Sequence, residues 1–155
     1  ASLKAQDEAE KQGYTQVLWL DGVERKYIEE VGTMNVFFQL GDEVVTPELQ
    51  GSILGGITRM SCIEMLRSWG YRVTERRVSL EEVVQGAESG LLKEAFGTGT
   101  AAVISPIGEL KVDDKHLVIN GGEIGPVAHR LYNTLTDIQN GRIADPFGWV
   151  VPVDK

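Results

Sequence analysis

Apolar residues recur along this chain with two alternating periods, helical and strand-like, and the switches between them mark its elements. Residues 2–12 carry Leu3, Ala5 and Ala9 on one side of a predicted helix that Gly13 closes. A short apolar run at 16–20, containing Val17, Leu18, Trp19 and Leu20, reads as a buried strand, and Asp21-Gly22 signals a tight turn. Strands over 27–31 and 34–40 follow, with a second turn at Gly41-Asp42-Glu43, so the front third reads as a β-meander. Helical spacing takes over at 57–69, where Cys62, Met65, Leu66 and Trp69 stand at i, i+3, i+4 and i+7, with Arg59, Glu64 and Arg67 off that stripe.

Gly70 ends this helix, and the charged, β-branched segment 71–78 reads as a partly exposed strand. Ser79 with Glu82 is a capping box that starts a helix over 80–89. Strands are expected at 101–106 and 117–120, with an acidic turn at Asp113-Asp114 between them. A last helix covers 126–139, with Pro126 in its first turn, Gly141 at its C-terminal cap, and Val127, Leu131, Leu135 and Ile138 on its buried face. With no internal repeat, low-complexity stretch or disordered linker, the pattern predicts one α+β domain with a mixed sheet over residues 1–155.

Composition narrows the function. A length of 155 residues suffices for one domain with a sizeable core, or for one piece of a larger protein. The net charge of −8 argues against nucleic acid as a partner, since binding a phosphate backbone calls for a basic field. A lone cysteine, Cys62, cannot form an internal disulfide and suits a reducing compartment. No apolar run is long enough to span a membrane, and residues 1–11 are too polar for a secretory signal, so a cytoplasmic protein is expected. The opening residues 1–6 are helix formers with no leading loop, which reads as a cut inside an element and predicts a fragment or a shortened chain.

Three segments carry candidate chemistry. In Gly51-Ser52-Ile53-Leu54-Gly55-Gly56-Ile57-Thr58-Arg59, two glycines precede a helix whose first N–H groups lack intrahelical partners, and these donors with the helix dipole form an anion site. The Thr58 hydroxyl adds a donor; the plain alternative is an ordinary glycine turn opening an amphipathic helix. In Gly97-Thr98-Gly99-Thr100-Ala101-Ala102, small residues let a ligand approach the backbone closely, the alternative being a glycine-rich bend between two strands. Glu29 and Glu30 lie in a strand-like run, so alternation turns one outward and the other inward. An inward Glu30 needs a cation or good hydrogen bonds, from an arginine or from a ligand.

The three segments in this order resemble the fold-type IV pyridoxal-phosphate enzymes, and within them the branched-chain amino-acid aminotransferases. The likeness runs through 16–22, Tyr27-Ile28-Glu29-Glu30-Val31-Gly32-Thr33-Met34-Asn35-Val36-Phe37-Phe38, Gly51 to Arg59, Glu94-Ala95-Phe96-Gly97-Thr98-Gly99-Thr100-Ala101-Ala102 and Gly125-Pro126. It implies the larger, C-terminal domain of that family, a mixed-sheet pseudo-barrel with flanking helices, with pyridoxal 5'-phosphate as cofactor. By this resemblance Glu30 faces the pyridine nitrogen, Leu54 packs on the ring, and Gly56, Ile57, Thr58, Gly99 and Thr100 form the phosphate cradle. Thr33, Ala101 and Ala102 would then meet the substrate, with the 100–102 turn offering N–H groups to its α-carboxylate.

The resemblance places the lysine that binds the cofactor covalently, a phosphate-binding arginine and a smaller N-terminal domain upstream of Ala1, so no catalytic residue is expected in this chain. The activity implied is transfer of an amino group from leucine, isoleucine or valine to 2-oxoglutarate, with the isolated chain inactive and the cofactor absent or weakly held. A homodimer is implied, and an isolated piece is expected to expose apolar surface where its N-terminal domain and dimer partner pack. D-amino-acid aminotransferase and aminodeoxychorismate lyase share the cofactor frame, and a non-catalytic binding module is the alternative from another class. Where some mammalian members carry a Cys-x-x-Cys pair, this chain has Ala102 and Ser105, which excludes a thiol switch there. Lys93 is expected in solvent, His116 and His129 at the surface or in packing without metal-ligand spacing, and Cys62 and Trp69 in the core.

Overall fold

The computed structural model describes residues 2–153, without the side chains of Ser2 and Leu3. Ala1, the proposed cut point, and the Leu3 side chain, expected on the apolar side of the first helix, lie outside the described residues.

One strand organises the rest. In β3 (Asn35–Leu40), Val36, Phe37 and Phe38 are all fully buried, which requires cover on both faces of the sheet. It pairs antiparallel with β4 (Glu43–Thr46) and β6 (Leu92–Gly99). With β5 (Arg72–Glu75), parallel to β4, and β7 (Val103–Pro106), antiparallel to β6, it builds a five-stranded mixed sheet in the order β5-β4-β3-β6-β7. Phe37, Val44 and Phe96 pack against Cys62, Met65 and Leu66 of α2 (Ile57–Ser68) and Val127, Leu131 and Leu135 of α4 (Pro126–Gln139). Alternation sends Val36, Phe38, Val45 and Ala95 to the opposite face. There α3 (Leu80–Ser89) and two hairpins, β1 (Leu18–Leu20) with β2 (Ile28–Val31) and β8 (Glu109–Val112) with β9 (Lys115–Val118), enclose a barrel-like apolar core. The architecture is α+β, a mixed sheet with flanking helices, as expected.

Helix ends follow their local signals. After α1 (Ser2–Lys11), Gly13 takes φ 87°, which glycine adopts without a Cβ penalty. Ser79 accepts from the Glu82 N–H at 3.1 Å, but the Glu82 carboxylate turns to Arg76 at 2.6 Å, so only half of the capping box forms. The strands depart further. The meander breaks after β2, because β1 and β2 form their own sheet and, among the described residues, the ladder continues from β2 only as an isolated bridge from Val31 to Met34, just before β3. Asp21-Gly22 is not a two-residue turn; the Asp21 carboxylate gathers the N–H groups of Tyr27, Lys26 and Glu24 into a longer connection, which holds its pKa below the usual carboxylate range. β4, β6 and β8 add to the expected strands, and those expected at 71–78, 101–106 and 117–120 appear as Arg72–Glu75, Val103–Pro106 and Lys115–Val118.

The start of α4 is fixed from outside the helix. Gly125 at its N-cap supplies no side chain, and a Cβ there would run into the Glu94 carboxyl group. Glu94, 4% exposed on β6, instead accepts from the N–H groups of Val127 at 2.9 Å and Ala128 at 3.0 Å. An anion at a helix N-terminus is favourable, and removing it orphans two buried donors. Glu94→Ala is therefore expected to destabilise the chain by about 2–3 kcal/mol in urea unfolding; an unchanged midpoint would contradict this capping role.

Candidate functional site

Three elements converge where β3 begins. Asn35, 6% exposed, is paired in register with Thr98 of β6. Its Nδ2 donates to the Leu54 carbonyl at 2.7 Å and approaches Glu30 Oε1 at 3.5 Å, while the Leu54 N–H donates to the same oxygen at 3.2 Å. Gly56 sits against Asn35 Oδ1 so closely that a Cβ has no room. One amide thus ties the acid at the end of β2 to the turn that opens α2. Glu30 Oε1 is oriented by N–H donors, and among the described residues no ion pair satisfies the carboxylate. Glu29 and Glu30 are both half-buried, not one in and one out. The 47–56 segment overlies both, with Ser52 Oγ donating to Glu29 at 2.6 Å.

The α2 N-terminus is open. Its N-cap Gly56 is extended, with φ −65° and ψ 138°, and among the described residues no side chain caps the helix. Among the described residues, the N–H groups of Ile57, Thr58 and Arg59 donate to no protein acceptor. Leu54 is 76% and Ile57 73% exposed, so apolar groups stand uncovered beside a half-buried acid and a row of free donors. Thr58 itself is half-buried.

At the end of β6 the register carries the chain one residue beyond Thr98 into the 99–103 turn, on the edge where Asn35 meets Gly56. Thr100, Ala101 and Ala102 are exposed residues, and their N–H groups likewise find no protein acceptor among the described residues. Val103 closes the turn at φ 57°, a left-handed conformation that a β-branched residue rarely adopts and that concentrates at functional turns. Gly97 and Gly99 have a packing reason to be small: a Cβ would stand 2.9 Å and 3.2 Å from atoms of Met34. Thr98 Oγ1 is buried without a partner among the described residues.

Thr33 is exposed in the short turn between Val31 and Met34, and among the described residues no hydrogen bond ties it to the other groups. Asn35 lies inside the motif that carries the resemblance, but its bridging role is not visible in the sequence. Arg59 is a correction: expected off the apolar stripe, it is 1% exposed and among the largest fully buried side chains. It lies three residues before Cys62, hence on the same face, and its guanidinium is accommodated by the Pro47 carbonyl at 2.9 Å and Glu75 at 3.0 Å. Trp69, expected in the core, is half-buried beneath the Arg130 guanidinium. Cys62 is fully buried, and desolvation pushes its thiol up to about 12, which makes it unreactive at neutral pH. Lys93, His116 and His129 are exposed, and among the described residues no cluster of potential ligands could hold a metal.

The donor set fits a phosphorylated, cationic aromatic ring: free N–H groups for an anion, a carboxylate without a protein cation, and exposed Leu54 beside it. Residues 1–110 match the family described as Amino-transferase class IV. The chain belongs to this family. Among class IV relatives, Branched-chain-amino-acid aminotransferase 2 of Bacillus subtilis (strain 168) is 59% identical over 153 residues, covering 99% of this chain and 42% of the relative. The branched-chain amino acid aminotransferase of Escherichia coli superposes with a TM-score of 0.78 at 32% identity, covering 96% of this chain and 46% of that one. A second solved branched-chain amino acid aminotransferase, complexed with N-(5'-phosphopyridoxyl)-L-glutamate, gives the same TM-score, 0.78, at 32% identity over 96% of this chain and 45% of that one. The chain thus spans less than half the length of these class IV proteins. No helix among its described residues is long and apolar enough to cross a membrane.

Proposed function

We propose that this chain supplies the cofactor-holding large domain of a pyridoxal-phosphate-dependent transaminase that moves the amino group of leucine, isoleucine or valine to 2-oxoglutarate. The observation that carries the reading is Glu30, oriented by the Leu54 N–H and the Asn35 amide and meeting no protein cation among the described residues. When bound, pyridoxal phosphate supplies an electron sink for the substrate α-carbon. In this reading Glu30 holds a proton on the pyridine nitrogen. The N–H groups of Ile57 and Thr58, opened by Gly56, bind the phosphate at the positive end of α2, with the Thr58 and Thr100 hydroxyls beside them and Gly99 allowing close approach. Leu54 covers the ring face and keeps water from it. The N–H groups at 100–102 orient the substrate carboxylate through Ala101 and Ala102, and Thr33 lines the substrate side.

Proton transfer at the substrate falls to a lysine outside this chain, so the 155 residues alone are expected to show no turnover. The full-length protein, working as a homodimer with its smaller domain in place, is expected to use the three branched-chain amino acids with 2-oxoglutarate in a coupled assay of 2-oxo-acid release. Turnover of D-alanine or aminodeoxychorismate in their place would assign the sister activities of the fold. No turnover of any of them, with no cofactor bound, would favour a binding module.

A further inference from the structure

Arg59 is an unusual residue for the first turn of a helix. A cation opposes the helix dipole there, and a buried one is costly unless its donors are satisfied. Its side chain is 2% exposed, and its Nε finds no partner among the described residues. Its Nη2 donates to the Pro47 carbonyl at 2.9 Å and to Glu75 Oε2 at 3.0 Å. Glu75 is shared, since Arg67 reaches its other oxygen at 3.3 Å. Two guanidinium groups therefore face one carboxylate, and the cluster keeps one net positive charge along α2. An apolar residue at this position would pack against Cys62 and Ile63 without the desolvation cost, so fold stability alone does not account for the arginine.

We infer that Arg59 sets the phosphate affinity of the α2 N-terminus. Arg59 follows the Ile57 and Thr58 donors in the same first turn of α2, and its bond to Pro47 fixes the start of the segment that leads to Gly56. It is a positioning residue, and the inference rests on the reading that this turn holds the cofactor phosphate.

The test compares affinities of the full-length apoprotein for pyridoxal 5'-phosphate and for pyridoxal, which lacks the phosphate, by absorbance titration. Arg59→Met, close in length and uncharged, is expected to weaken pyridoxal-phosphate binding about tenfold, the scale of one charge acting on a nearby anion inside a protein, and to leave pyridoxal unchanged. Arg59→Lys, which keeps the charge, is expected to recover most of that loss. Glu75→Gln has the opposite sign: it leaves the cluster more positive and is expected to tighten pyridoxal phosphate severalfold with no effect on pyridoxal. It tests the inference even where Arg59→Met fails to fold. Equal weakening of both ligands in Arg59→Met, or no tightening in Glu75→Gln, would overturn the inference and leave Arg59 a structural brace. Failure of the unmodified protein to prefer pyridoxal phosphate over pyridoxal would instead overturn the cofactor reading beneath it.

Discussion

Replacing Glu30 by glutamine in the full-length protein is expected to lower transamination about 10²–10³-fold, the cost of losing one preorganised electrostatic partner in an active site, while the cofactor stays bound. The substitution keeps size and shape, and its side-chain oxygen still accepts from the Leu54 N–H and the Asn35 amide. What it loses is the negative charge that would hold a proton on the ring nitrogen. The phosphate donors at Ile57 and Thr58 are separate groups, so the loss should fall on kcat with little change in cofactor affinity. Activity within a few-fold of the unmodified protein would remove Glu30 from the proposed role.

The largest effect on stability is expected at Phe37. Its ring lies 5.3 Å from that of Phe96 at an interplanar angle of 8°, and both side chains are fully buried. They join β3 and β6 at the centre of the sheet, beneath α2 and α4. Phe37→Ala leaves a cavity between sheet and helices and should cost about 3–5 kcal/mol, a large part of the total stability of a domain this size. Urea unfolding followed by circular dichroism measures it. A loss below about 1 kcal/mol would mean that the two rings are not the core contact described, since ordinary large-to-small core changes exceed that value.

Helices are legible in the sequence because their determinants are local. Ser79 marks the start of α3, Pro126 that of α4, and apolar spacing picks the buried faces of α2 and α4. The strands are harder to read because their partners are remote. β4 is four residues long: its hairpin with β3 follows the Gly41-Asp42 turn, but its parallel pairing with β5 spans the intervening α2, which no local pattern encodes. The turn at Gly32-Thr33 passes the chain from one sheet to another, although the apolar pattern on either side reads as one continuous meander.

The site shows the same division. Glu30, Leu54, the Gly56 turn and the 100–102 turn stand out as sequence motifs. Asn35, which joins the first three, is hidden because its partners are a carbonyl 19 residues away and a carboxylate on the preceding strand. Arg59 is misplaced because its charge suggests solvent, although its spacing from Cys62 and Leu66 places it on the buried face.

The most direct measurement is a backbone amide spectrum of the isotopically labelled full-length protein, taken with and without pyridoxal 5'-phosphate and then with a branched-chain 2-oxo acid. The account predicts that the Ile57 and Thr58 resonances shift on adding cofactor, and that Ala101 and Ala102 respond when the 2-oxo acid follows. Cofactor binding that leaves Ile57 and Thr58 unmoved would contradict it.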